Sequence, residues 1–194
     1  MEISAVILSA RPVETQLEGL QVVPHVSRFS DAAGLLDARM AALQRVRTEW
    51  FFFLDDDDEL PADYLRVLKR CTGAGAPLAY TDETIRLPAQ FDGRVPEFRR
   101  RSAPYSQMAH LRDPLLVHHL AVCRTEAALR AARAIPRGTY AVEPLLYWQM
   151  AKEGAAFVDE VGYIWNRGLA GLSRHPTLSR GIVRALLWAQ EHRA

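Results

Sequence analysis

The run Trp50-Phe51-Phe52-Phe53-Leu54-Asp55-Asp56-Asp57-Asp58-Glu59-Leu60-Pro61 sets an unbroken apolar block against five consecutive acids. Phe51 to Leu54 offers apolar side chains to both faces of a strand, so the strand must be covered on both sides. Its end is a charged one, and open α/β sheets bind ligands outside the carboxyl ends of their strands. Like charges this dense repel one another unless a cation sits among them. Hard divalent cations such as Mg²⁺ or Mn²⁺ take one or two carboxylates together with substrate phosphates and water. A solvated acidic turn that merely caps the next helix is the plainer alternative. A calcium EF-hand is excluded, because Leu60 stands where that loop needs glycine.

Outward from this stretch, strand and helix signals alternate, which predicts an α/β sheet. Ile3 to Ser9 reads as a first buried strand and Leu20 to Val23 as a second. Ser30-Asp31 offers an N-cap to a helix whose Leu36, Met40, Leu43 and Val46 fall at helical spacing. Pro61 opens another helix, with Leu65 and Leu68 toward the core and Gly73 as its stop. Pro77 to Thr81 reads as a strand ending at Asp82-Glu83. From Ile85 to Asp113 periodicity fades, which predicts a long surface loop with a hairpin around Asp92-Gly93. His119 to Cys123 reads as a strand, Thr125 to Arg133 and Glu143 to Glu153 as helices. Phe157-Val158 and Tyr163 to Trp165 read as two short closing strands, and Thr177 onward as a final helix. His118 and His119 point to opposite faces of their strand, so at most one of them lines a cleft. A structural role suits both, as it does Trp148 and Trp165.

Length and composition narrow the field. At 194 residues, with 49% hydrophobic and 24% charged residues, the chain predicts a single globular domain, not a disordered one. The net charge of +1 (24 basic less 23 acidic) gives no overall argument for nucleic-acid binding. Residues 94–137 nevertheless carry nine Arg against three acids, a local excess suited to an anionic acceptor. Only two cysteines are present, Cys71 and Cys123, in no metal or redox motif, and reduced thiols with a cytoplasmic location are expected. No signal peptide or membrane span is legible.

The stretch from Leu36 to Pro61 resembles family 2 glycosyltransferases of the GT-A fold, whose pattern is an Ala-Arg-Asn helix start and a strand closing in Leu-Asp-x-Asp-Asp. Leu78 to Glu83, Glu143 with Gly154 eleven residues later, and Phe157 to Arg167 resemble later family segments in the right order. The resemblance implies one GT-A-like (Rossmann-like) α/β domain over 1–194, a mixed central sheet flanked by helices. Residues 1–82 would form the nucleotide-sugar and metal half, and 83–194 the acceptor half. It implies an inverting, divalent-metal-dependent transfer of a sugar from a nucleotide-sugar donor, a UDP-sugar, to a hydroxyl acceptor. Mn²⁺ or Mg²⁺ would be held by Asp55 and Asp57 of a DxD pair, with His175 as a third ligand. Arg11, Arg39, Asp55 and Asp56 would face the donor; Asp82, at a strand's end near the acids, would either bind a sugar hydroxyl of the donor or cap a turn. Asp58 would be structural, and Glu143 the general base. The acceptor would be a glycan or lipid-linked glycan, ahead of modified DNA.

The chain also departs from that pattern. The family's second strand normally ends in Val-Asp-Asp-Gly-Ser, but Val22-Val23-Pro24-His25-Val26-Ser27 holds no acid to read a base. Met40 stands for the usual Asn, and Val142-Glu143 for the usual Glu-Asp. Two other readings follow from the residues: a sugar-nucleotide nucleotidyltransferase, which lacks a Gly-rich phosphate loop here, and a non-catalytic relic that binds a carbohydrate or a partner.

Overall fold

The computed structural model describes residues 2–9, 12, 15–26, 32–89, 93–118, 120–135 and 142–167. Arg11, His119, His175 and the helix expected from Thr177 lie outside them. The elements run β1 (Ile3–Ser9), β2 (Gln21–Val26), α1 (Ala32–Leu43), β3 (Trp50–Asp55), α2 (Tyr64–Thr72), β4 (Leu78–Arg86), β5 (Glu97–Arg100), α3 (Gln107–Arg112), β6 (Ala121–Arg124), α4 (Thr125–Arg133), α5 (Val142–Met150) and β7 (Ala155–Asn166).

A seven-stranded mixed sheet carries the fold. β1 pairs parallel with β2 on one side and β3 on the other. β6 lies antiparallel between β3 and β4, so β3 and β4 run the same way, and β7 is parallel to β4. The carboxyl ends of β1, β3, β4 and β7 therefore share one edge. β4 has two sides. β7 takes one along its whole length, so β6 at Leu78–Tyr80 and β5 at Glu83–Arg86 share the other.

Alternation along the strands divides the core. Phe51 and Phe53 pack with Ala38, Ala42 and Leu43 of α1, Ala127 and Ala131 of α4, and Leu146 and Met150 of α5. Phe52 and Leu54 face the other way, against Val67, Leu68 and Cys71 of α2 and Val158 and Tyr163 of β7. This is why Trp50 to Leu54 is apolar at every position: both faces of the strand are covered. Both cysteines are buried free thiols. Among the described residues no helix is long and apolar enough to cross a membrane.

Four sequence expectations need correction. Leu65 is 38% exposed, because the buried face of α2 is Val67, Leu68 and Cys71. Leu65 instead reaches toward Gly19, which adopts a left-handed φ of 71°. The strand expected to stop at Thr81 continues to Arg86, since Asp82 and Glu83 are buried strand residues and not a turn. The segment 85–113 is accordingly not one loop. It holds the end of β4, the antiparallel strand β5 and α3, with a hairpin connection containing Gly93. The two closing strands are one, β7, whose register against β4 shifts at Asp82, where irregular pairing hides a continuous strand from a period-2 reading.

Candidate active site

β3 delivers Asp55 at the edge of the sheet, and the chain turns at once: the Asp58 N–H donates to the Asp55 carbonyl at 3.2 Å. The turn brings one carboxylate oxygen each of Asp55, Asp57 and Asp58 within 4.8 Å of one another. β7 fastens it. The Tyr163 hydroxyl donates to Asp58 at 2.9 Å and accepts the Asp55 N–H at 3.2 Å. The Asn166 N–H donates to the other Asp58 oxygen at 2.8 Å, and its side-chain amide donates to the Asp57 carbonyl at 2.8 Å. Glu59 and Ile164 exchange both backbone bonds, at 3.1 and 2.9 Å. From β1, the Ser9 hydroxyl donates to Asp56 at 2.6 Å.

The acids pay electrostatically for this closeness. Burial pushes the Asp58 carboxyl up to about 7, and the charges of Asp55 and Asp57 add to the rise, against the opposing Asn166 and Tyr163 hydrogen bonds. Asp57 is raised too, first by loss of solvent around its carboxyl and then by Asp55. The three converging carboxylates form a hard oxygen donor set, and it fits a divalent cation such as Mg²⁺ or Mn²⁺. Asp58, expected to be structural only, belongs geometrically to this set.

Arg39 of α1 lies under the turn. One terminal nitrogen donates to Asp55 at 2.6 Å, and the other pairs with Glu143 in the first turn of α5. Its guanidinium sits over the Phe53 ring, 5.3 Å from the centroid. Glu143 itself keeps 26% of its side chain open, while Leu145, Leu146 and Met150 anchor α5 in the core. Arg39 was expected to face the donor. Its side chain is 6% exposed and engaged by two carboxylates, Asp55 and Glu143.

Asp82 was also expected to face the donor. It is 1% exposed, and its carboxylate accepts from Arg99 at 2.7 Å and from the Ser102 N–H at 2.7 Å. The next residue, Glu83, pairs with Arg100 at 3.4 Å and with His118 Nδ1 at 2.8 Å. Consecutive strand residues face opposite ways. Arg99 and Arg100 of β5 thus clamp Asp82 and Glu83 of β4 from both faces. Asp82 thus anchors the hairpin through a buried ion pair, which is costly to break once formed.

The structure thus brings together Asp55, Asp56, Asp57 and, through Arg39, Glu143. Arg11 and His175 fall outside the described residues. Tyr163 and Asn166 were not found from the sequence as site residues. Tyrosine in an apolar strand reads as core, and the one local sign was its position within Phe157 to Arg167, the segment that resembles the family's closing strand.

Comparison with known proteins places this geometry. Residues 16–71 match the family model of Glycosyl transferase family 2. The match contains β2, α1, β3, the acid turn and nearly all of α2, so the family 2 resemblance read from Leu36 to Pro61 is borne out. No curated protein matches the sequence. Among solved structures, TarS 1–349 of S. aureus aligns with a TM-score of 0.52 at 14% identity, covering 86% of this chain and 60% of that one. TarS 1–349 in complex with UDP-GlcNAc aligns with a TM-score of 0.58 at 12% identity, covering 94% and 65%. Glucosyl-3-phosphoglycerate synthase from Mycobacterium tuberculosis, in complex with phosphoglyceric acid, gives 0.55 at 16%, covering 100% and 81%. At such identities the likeness establishes the fold, a GT-A-like mixed sheet flanked by helices. This chain spans about three fifths of the TarS 1–349 length it matches.

Proposed function

We propose that this protein is an inverting, divalent-metal-dependent glycosyltransferase that moves a sugar from a nucleotide-sugar donor to a hydroxyl acceptor. The observation that carries the reading is the convergence of Asp55, Asp57 and Asp58 at the end of a buried strand, inside the region matching family 2. The TarS structures with UDP-GlcNAc and with UDP favour a UDP-sugar as donor.

Asp55, Asp57 and Asp58 would hold Mn²⁺ or Mg²⁺, which supplies Lewis-acid stabilisation of charge on the departing diphosphate. Asp56, held by the Ser9 hydroxyl, would contact the donor. Glu143 takes the proton of the acceptor hydroxyl as its oxygen bonds to the anomeric carbon. The bond from that carbon to the diphosphate oxygen breaks, and the electron pair leaves with the nucleoside diphosphate. Displacement from the opposite face inverts the anomeric centre. Residues 83–194 supply the acceptor side, where the local arginine excess suits a glycan carrying anionic groups.

Incubation with Mn²⁺ and a panel of nucleotide sugars tests the proposal. Slow release of nucleoside diphosphate from a UDP-sugar, abolished by chelation and by Asp57→Ala, is the expected result. Pyrophosphate exchange in its place would identify a nucleotidyltransferase. Binding of no nucleotide sugar at all would leave a carbohydrate- or partner-binding relic.

A further inference from the structure

Arg39 has an arrangement that simple donor contact does not explain. It is a buried cation on α1, and its two terminal nitrogens reach carboxylates from different parts of the chain, Asp55 on β3 and Glu143 on α5. Its Nε is buried without a hydrogen-bond partner. The Phe53 ring beneath it and Ala38 and Ala42 beside it on α1 leave an apolar bed for the stem and an aromatic face for the charge. A side chain so enclosed cannot swing into solvent when Asp55 takes another partner.

That matters because Asp55 is also one of the three clustered acids. A cation bound there would share a carboxylate with a guanidinium 2.6 Å from one of its oxygens. Like charges at that range repel strongly where water is scarce. A nucleoside diphosphate arriving with the cation would bring negative charge that offsets both.

We infer that Arg39 is a positioning residue and a built-in counter-ion. It neutralises Asp55 in the free protein, disfavours a bare divalent cation, and retains Glu143 beside the acid turn when a cation–diphosphate complex displaces it from Asp55. The inference rests on the metal-dependent reading above. It makes binding of the cation and the nucleotide mutually dependent, and it ties the base to the same event.

The test is Mn²⁺ binding followed by electron paramagnetic resonance, with and without UDP, in wild type, Arg39→Met, Arg39→Gln and Arg39→Lys. Wild type should bind Mn²⁺ weakly alone and much more tightly with UDP. Arg39→Met and Arg39→Gln should bind Mn²⁺ alone on the order of tenfold more tightly, gain less from UDP, and release less nucleoside diphosphate per unit time. Arg39→Lys, which keeps the charge, should stay near wild type in Mn²⁺ affinity. A merely structural arginine would weaken metal binding when removed, the opposite sign. The Gln variant decides the matter if the Met variant does not fold. Unchanged or weaker Mn²⁺ binding in a folded, charge-removed variant overturns the inference while the metal reading stands. Failure of wild type to bind Mn²⁺ even with UDP overturns the metal reading, and the inference with it.

Discussion

The Tyr163 hydroxyl donates to the Asp58 carboxylate at 2.9 Å across 105 residues of chain. The same oxygen accepts the backbone N–H of Asp55, so one side chain of β7 ties the first and last acids of the cluster. Tyr163 is fully buried and packs with Phe52, Leu54 and Val158, which gives the phenol a rigid seat. The acid turn is therefore held by a buried side chain of β7, far along the chain.

Tyr163→Phe should show how much that seat contributes. The substitution keeps the ring and removes one oxygen, leaving the Asp55 N–H without that acceptor and one Asp58 oxygen without the phenol donor, while the Asn166 N–H still donates to the other. Loss of a buried partner costs about 1–3 kcal/mol, so the urea midpoint should fall accordingly. Mn²⁺ affinity in the presence of UDP should fall as well. An unchanged midpoint would show that the turn holds itself.

Asp58 predicts an unusual pH dependence. Its folded-state pKa of about 7 lies above the ordinary 3.8. Between those values the native state holds a proton that the unfolded chain has lost, so stability falls as pH rises through this window. Partial solvent screening reduces the effect below its formal size. Asp58→Asn should flatten the slope of melting temperature against pH between 4 and 7. Mn²⁺ with UDP should stabilise wild type more at pH 7.5 than at pH 5, since a cation competes with the proton. Equal stabilisation at both would exclude Asp58 from the ligand set.

Glu143→Gln keeps the shape of the side chain and removes the proton acceptor. Turnover to an acceptor should fall by about 10²–10⁴-fold while UDP affinity changes little, because the lost interaction belongs to the chemical step. Normal turnover would restrict Glu143 to its ion pair with Arg39 and its place near the α5 N-terminus.

Gly162 sits where β7 changes register against β4. A Cβ added there would lie 2.3 Å from Leu120 Cδ2 and 2.5 Å from Thr81 Oγ1. Gly162→Ala should destabilise the fold by about 1–3 kcal/mol through overpacking. Because Tyr163 is the next residue, it should also weaken Mn²⁺ binding in the presence of UDP. Full stability by thermal melting would mean that Leu120 and Thr81 move aside at no cost.

Local pattern was enough to locate β1, β3, α4 and the acids after β3. Apolar runs, helical spacing and an abrupt charge boundary all lie within one short window, and burial on two faces writes itself into consecutive residues. That is why Asp55 and Asp57 were legible, and why the family 2 resemblance could be read from one stretch. What the sequence could not decide was which distant side chains those acids meet. Asp82 and Glu83 look like a turn until Arg99 and Arg100 are seen clamping them from β5. Nothing local to Arg39 shows that α5 brings Glu143 to its other nitrogen. Tyr163 and Asn166 look like core and loop until sheet register sets them on the acid turn. Hydrogen bonds and ion pairs act over about 3 Å between residues some 16–108 positions apart, and no periodicity along the chain encodes such a pairing; only the packing of β4, β7, α1 and α5 around β3 creates it.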